Sequence, residues 1–330
     1  MKPTISVIML TYNRENLVSR AIETIMSQTF ANFEFIIVNN GSTDRSGAIA
    51  DEYAKNDPRI RVIHRSKGNI GSGRNTGLTA AIGEYIAFID DDDWCEPDYL
   101  EFLYNNAVDN NAEISICGAY RNENNRITTI GIAELVIMNA EYAIIELMWR
   151  KRYNNGFPTK LIRKKIFTDL SFPEIGRYDD IYLMYKVLAK ANRISSYGLP
   201  KYRVYRHAGN NSTATTNDEI VTPEYINDYL KVYLERSKWL CDKFPNSSAY
   251  WKYFSWSFQI SMVNKIILRN LDCTELLKHM LAELNVYWNE FMESPYVLDF
   301  EKEWMMQYVR NTKVFTVNND PLQLTMPPVL

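Results

Sequence analysis

Histidine and cysteine are scarce in this chain, with three histidines and four cysteines among 330 residues. Cys95, Cys117, Cys241 and Cys273 stand far apart and form no CxxC pair. Neither a disulfide framework nor a zinc site is encoded by such spacing, and a reducing, cytoplasmic setting is expected. A basic excess is also lacking. With 37 basic and 40 acidic residues the formal net charge is -3, which disfavours a nucleic acid polymer as partner but leaves a single nucleotide open. The N-terminal stretch has no charged-then-apolar secretory pattern. No segment reaches the roughly 18 apolar residues of a transmembrane span. The expectation is a soluble chain with at most peripheral contact at the inner face of a membrane.

Apolar residues make up 46% of the chain, enough to bury a full core at this length. Apolar runs at 5–10, 33–38, 60–64, 84–89 and 114–119 read as strands, and segments of helical spacing recur between them. Leu17, Val18, Ala21, Ile22, Ile25 and Met26 mark the first helix, with Asn13 or Asn16 as its expected cap. The turn at 39–44 is expected to cap the next helix, and Leu78, Ala81 and Ile82 continue an apolar helix face after a glycine-rich stretch. Pro97 opens a further helix. Strands alternating with helices through short turns imply an α/β fold with a mainly parallel, doubly wound sheet. Ligands of such sheets bind at the carboxyl ends of the strands. Those ends carry Thr11, Tyr12 and Arg14, the turn with Asn40, and the run Asp90, Asp91, Asp92 and Asp93.

Four adjacent carboxylates repel one another and need a cation or a dense set of donors. A divalent ion shared with substrate phosphates meets that need, and a solvated acidic turn is the competing reading. Gly71, Gly73 and Gly77 approach a dinucleotide fingerprint, but the last interval is too long and the stretch follows the third strand, which argues against a nicotinamide enzyme. Their expected role is to let backbone approach a neighbour or ligand beside the donor fork of Arg74. Beyond Tyr120 the alternation weakens, with irregular strands over 127–135 and a helix over 140–149. Asp179 and Asp180 then open an apolar helix through Ile181, Met184, Val187 and Leu188. Acidic residues in a first turn are common for dipole reasons alone. A strand at 193–205 leads to a polar loop with Arg206, His207 and Ser212, and after about Thr222 helical patterns recur with Trp239, Trp251, Trp256, Trp288 and Trp304 among them. Those aromatics read as core or as an oligomer interface.

Taken in order, VIMLTYN at 7–13, SQTF at 27–30, IVNNGSTD at 37–44, GRNTG at 73–77 and FIDDDDW at 88–94 resemble the family 2 glycosyltransferases, inverting enzymes with the GT-A fold. The resemblance covers about residues 4–119 and continues more faintly to about 213. It implies a GT-A, Rossmann-like, mainly parallel central sheet flanked by helices, with an α-helical C-terminal extension. The implied domains are a catalytic one at 1–222, divided into a nucleotide-binding half at 1–119 and an acceptor half at 120–222, and a helical one at 223–330 that serves oligomerisation or acceptor binding. A homo-oligomer formed through those helices is expected.

The resemblance further implies roles for single residues. Thr11, Tyr12 and Arg14 line the base pocket, and Arg74 supports the nucleotide. Asp92 is the direct ligand of a Mn2+ or Mg2+ ion, Asp90 lies nearer ribose and sugar, Asp91 is spare among the nucleotide-facing groups, and Asp93 holds a hydroxyl. Asp179 and Asp180 take the place of the family's Glu-Asp pair, with Asp180 as general base. Arg206, His207 and Ser212 correspond to a loop over the diphosphate, His207 touching metal or phosphate. Two positions depart from the pattern. Asn40 replaces an Asp that accepts from uracil N3–H; its carbonyl can still accept, but its amide can also donate. Asp179 is one methylene shorter than Glu. A helix start is expected to lower the pKa of Asp180. The implied reaction moves a hexose (glucose, galactose or an N-acetylhexosamine) from a UDP-sugar to a hydroxyl of a glycan or glycoconjugate. An idle sugar-nucleotide binder or assembly subunit and a sugar nucleotidyltransferase are the competing classes.

Overall fold

The computed structural model describes residues 2–123, 126–207, 209–210 and 222–310. Ser212 and the tail at 318–330 lie outside the described residues. The chain divides into two compact units, Met1–Asn217 and Asp218–Leu330.

In the first unit β1 (Ile5–Thr11), β2 (Phe33–Asn39), β3 (Ile60–His64) and β4 (Tyr85–Asp90) run parallel, β1 lying between β2 and β4. Ile5, Val7, Ile8, Met9 and their neighbours on β2 and β4 are buried without alternation, as expected of strands covered on both faces. The covering helices are α1 (Val18–Met26), α2 (Ser46–Asn56), α3 (Ile70–Ala80) and α4 (Tyr99–Asp109). α1 buries Val18, Ala21, Ile22 and Ile25. Neither Asn13 nor Asn16 caps it; its N-cap is Leu17, which makes no side-chain cap bond. Asn13 instead adopts φ 52° and its Oδ1 accepts the Thr43 N–H at 2.9 Å, tying the end of β1 to the turn after β2.

The glycine-rich stretch is not the approach to a helix but the helix itself. α3 starts at Ile70, capped by Asn69, whose side chain accepts the Ser72 N–H at 2.8 Å. Its buried face is Gly71, Gly73 and Gly77, while Ile82, expected on an apolar face, is 52% exposed. A Cβ on Gly71 would lie 2.0 Å from Pro173 O, one on Gly73 2.3 Å from Leu10 Cδ1, and one on Gly77 2.4 Å from Ile8 Cγ2. The absent side chains let α3 lie against β1 and against the segment before Asp179. Arg74 is carried into the site by that approach.

Beyond β4 the sheet becomes mixed. β5 (Trp94–Cys95), β6 (Ile114–Glu123), β7 (Arg126–Ile130), β8 (Leu135–Met138), β9 (Lys160–Arg163) and β10 (Ile194–Tyr205) complete the order β3-β2-β1-β4-β9-β6-β10-β5, with β7 on β6 and β8 on β10. β9, a strand the sequence pattern does not announce, is antiparallel to both β4 and β6, whereas β10 is parallel to β6. α5 (Ala140–Trp149) and α6 (Asp179–Ala189) flank this half.

The second unit holds α7 (Pro223–Lys243), α8 (Ser248–Leu268), α9 (Thr274–Val286), α10 (Trp288–Glu293) and α11 (Asp299–Trp304). Aromatics form its core: Tyr233 stacks on Phe258 at 3.9 Å and Trp256 on Tyr287 at 5.2 Å. The buried Glu301 accepts from Tyr253 OH at 3.1 Å and from the Leu298 N–H at 2.9 Å. Among the described residues no helix is long and apolar enough to cross a membrane.

Because the added methyl meets backbone rather than a movable side chain, Gly71→Ala is expected to lower stability by about 1–3 kcal/mol in urea unfolding. Thr79→Ala on the exposed side of the same helix serves as control. A Gly71→Ala loss no greater than that of the control contradicts the packing described for α3.

Candidate functional site

The aspartate run leaves the end of β4 and turns between β1 and the loop after β10. Asp91 Oδ2 accepts the Tyr12 N–H at 3.2 Å, and its Oδ1 lies 3.6 Å from Arg14 Nε. Asp91 is therefore a brace to the end of β1. Asp92 points the other way: its Oδ2 lies 3.0 Å from His207 Nε2 and accepts Asn210 Nδ2 at 2.9 Å, with Arg14 Nε at 4.0 Å. Asp93 is 4% exposed and spends Oδ1 on the Tyr205 N–H at 2.8 Å. Arg14 also donates through Nη2 to Gly209 O at 2.7 Å, and the Arg206 N–H donates to Asn122 O at 2.9 Å.

Asp90 belongs to a second cluster. Arg74 Nη1 lies 2.5 Å from Asp179 Oδ2 and Nη2 3.4 Å from Asp90 Oδ1. The rings of Phe88, Phe157 and Phe172 surround the guanidinium, with Phe172 centred 5.5 Å away. Burial opposes the charge of Arg74, but Asp179, Asp90 and Asp180 together hold it above the ordinary arginine range. Asp180 follows on the first turn of α6, its Oδ1 accepting the Ile181 N–H at 2.8 Å. Its pKa is raised, not lowered: burial and the neighbouring Asp179 outweigh Arg74 and the backbone donor. The helix start alone predicted the opposite sign, because a first-turn donor matters less than removal from water beside a second carboxylate.

Carboxylates are in excess over cations here. Burial, with Asp92 adding to it, pushes Asp90 up to about 6 and Asp91 up to about 7, against the pull of Arg74 on the first and of Thr11 and Arg14 on the second. Burial raises Asp93 as well, with Asp90 and Asp92 adding. A divalent ion fits this arrangement in a limited way. Among the described residues no three His, Cys, Asp or Glu side chains group to hold one. Asp92 Oδ2 and His207 Nε2, 3.0 Å apart, are a suitable pair, since bonds of about 2.1 Å at right angles put neighbouring ligand atoms about 3.0 Å apart. Substrate oxygens and water would have to complete the shell.

Lys67 Nζ lies 4.6 Å over the ring of Tyr12. Asn40 is 4% exposed; its Nδ2 donates to Gly68 O at 2.9 Å, and its Oδ1 is buried with no hydrogen-bond partner among the described residues. Thr11, fully buried, pairs with Asn39 at the end of β1. The structure thus brings Tyr12, Arg14, Asp91, Asp92 and His207 into one cluster and Arg74, Asp90, Asp179 and Asp180 into another.

Sequence reasoning missed Arg20, Asn210 and Lys160. Lys160 is fully buried, donates from Nζ to Asn154 O at 2.9 Å and Gly156 O at 2.5 Å, and is pulled down to about 7 by burial. A lysine within a short apolar run was the one available signal.

Residues 6–170, half of the chain, match the family model described as Glycosyl transferase family 2. EpsH of Bacillus subtilis (strain 168) is 34% identical over 212 residues, covering 62% of this chain and 61% of EpsH. The glycosyltransferase GlyA of Streptococcus pneumoniae is 34% identical over 202 residues, covering 58% of this chain and 29% of GlyA. The chain therefore spans less than two thirds of these curated relatives. The crystal structure of S. aureus TarS 1-349 in complex with UDP-GlcNAc aligns with a TM-score of 0.69 at 18% identity, covering 94% of this chain and 90% of that one. That likeness establishes a shared fold, the GT-A fold.

Asp91 keeps a proton in the folded chain at pH values where the unfolded chain has lost it. Without ligand, its contribution to stability therefore falls as pH rises from about 4 to about 7. Asp91→Asn is expected to stabilise the ligand-free protein at pH 8 by about 1–4 kcal/mol. The gain shrinks toward pH 4, where the native carboxyl is already neutral. Thermal melting at the two pH values checks this, and a variant less stable than the parent at pH 8 contradicts it.

Proposed function

The chain belongs to glycosyl transferase family 2, and on that premise we propose that it transfers a hexose from a UDP-sugar to a hydroxyl of a glycan or glycoconjugate, in one displacement with inversion. The observation that carries this reading is Arg74, whose guanidinium joins Asp90 at the donor side to Asp179 beside Asp180. On this reading that group holds the carboxylate base relative to the nucleotide half.

The uridine nucleotide is supported by TarS, solved with UDP-GlcNAc and with UDP, and by the chemistry of Asn40. Its Nδ2 is committed to Gly68 O, so the amide orientation follows and Oδ1 is left as a buried acceptor. Uracil N3–H satisfies that acceptor, whereas the N3 lone pair of cytosine would face it. On this reading Tyr12 lines the base pocket, Asp90 faces ribose and sugar, and Asp93 holds a hydroxyl.

A Mn2+ or Mg2+ ion held by Asp92 and His207 would offset the charge growing on the departing diphosphate. Arg14 stands beside the same carboxylates with its fork already oriented by Gly209 O, and Arg206 and Ser212 are assigned to the cover of the diphosphate. Asp180 takes the acceptor hydroxyl proton as that oxygen attacks the anomeric carbon from the face opposite the diphosphate. A pKa raised by burial makes it a stronger base than an exposed carboxylate. Asp179, fixed on Arg74, keeps the first turn of α6 in place. The helical unit is proposed as the surface of self-association, with the enzyme working at the cytoplasmic face of a membrane.

Incubation with Mn2+ and a panel of UDP-sugars, followed by release of UDP, identifies the donor. Asp180→Asn is expected to lower transfer by about 10²–10⁴-fold while calorimetric binding of UDP stays as in the parent. Full activity of the variant rules out Asp180 as base, and absence of UDP release from every sugar in the panel rules out the transferase reading.

A further inference from the structure

Arg20 lies on α1 away from the face formed by Val18, Ala21, Ile22 and Ile25, and nothing in the motifs distinguishes it. Its Nη2 donates to the backbone O of Asp92 at 2.6 Å. Its guanidinium carbon sits 4.0 Å over the ring of Trp94 and 4.9 Å over that of Tyr205. Those two rings are 6.0 Å apart and inclined at 52°, forming an open V with the guanidinium in its mouth. Nε of Arg20 is buried with no hydrogen-bond partner among the described residues; the ring faces and one carbonyl hold the group, with the charges of Asp93 and Asp92 nearby. Tyr205 in turn stacks on His207 at 5.2 Å and 26°, and its N–H is bonded to Asp93.

One planar cation therefore touches both strands of the arm that presents Asp92 and His207: the backbone of the first, and the ring on which the second is stacked. A positive group near a cation site opposes binding, but the charge of this one is partly offset by the faces of two rings, a carbonyl oxygen and the nearby Asp93 and Asp92.

We propose that Arg20 is a positioning residue for a divalent-cation site formed by Asp92 and His207, fixing the carboxylate and the imidazole relative to each other without touching the ion. The assignment rests on the metal reading given under the proposed function. It deepens that reading, because it places the determinant of ion affinity on a helix outside the motifs. Outer-shell partners of metal ligands govern affinity by holding the ligands in a productive orientation.

The test is Mn2+ binding, followed by the loss of the free-ion paramagnetic resonance signal in the presence of saturating UDP. Arg20→Met keeps the apolar stem and removes the donors and the charge; it is expected to weaken Mn2+ binding by about 10–100-fold. UDP binding without metal and the melting temperature should stay as in the parent. Arg20→Lys keeps a donor and a charge over the rings and is expected to recover part of the loss, which a residue acting through bulk packing would not show. Arg20→Met binding Mn2+ as tightly as the parent overturns the assignment, as does an equal loss of metal-free UDP binding. A parent protein whose UDP complex takes up no Mn2+ overturns the metal reading itself, and this assignment with it.

Discussion

The buried guanidinium of Arg74 is the interaction on which the rest of the site depends. It lies between Asp90 at the end of β4 and Asp179 at the start of α6, so one planar group joins these two elements of the first unit. Arginine suits the place because its fork offers donors in two directions from a rigid plane and its faces tolerate aromatic neighbours. Phe88, Phe157 and Phe172 supply those neighbours. Removing one member of such a pair leaves an unpaired buried charge, which costs far more than the pair contributes. The glycine face of α3 is the backbone condition for this contact, since helix and segment 172–173 could not approach with side chains between them.

The second constraint is the surplus of negative charge. Burial holds Asp90, Asp91, Asp93 and Asp180 above the ordinary carboxylate range, so a cation arriving at the ligand-free site would displace protons from it. In the proposed reaction one cause serves two ends: it would strengthen Asp180 as a base and favour an ion at Asp92 shared with a diphosphate. The fold accepts a cost in stability to keep these groups together, a common feature of sites whose charge is completed by substrate.

Much of this was legible in the sequence where side chains mark the structure. Unbroken burial of Ile5 to Met9 and Phe35 to Val38 makes parallel strands readable, and their polar ends place Tyr12, Asn40 and the aspartate run on one edge. The failures have physical reasons. α3 packs through missing side chains, and hydrophobic periodicity cannot see glycine. β9 has four residues, too few for a period to show. Asn13 looks like a helix cap but bonds across to Thr43 from a left-handed backbone. The pKa of Asp180 depends on burial by residues distant in sequence, and Arg20 is defined wholly by partners on other elements. Tertiary contacts of this kind leave no local pattern.

The central claim is a single displacement at the anomeric carbon, with Asp180 opposite the departing diphosphate. Proton nuclear magnetic resonance of the freshly formed product, recorded before mutarotation or further reaction, tests it most directly. Starting from an α-linked UDP-sugar, the account predicts the β-anomer as the first product. A first-formed α-anomer would contradict the single displacement and the role given to Asp180.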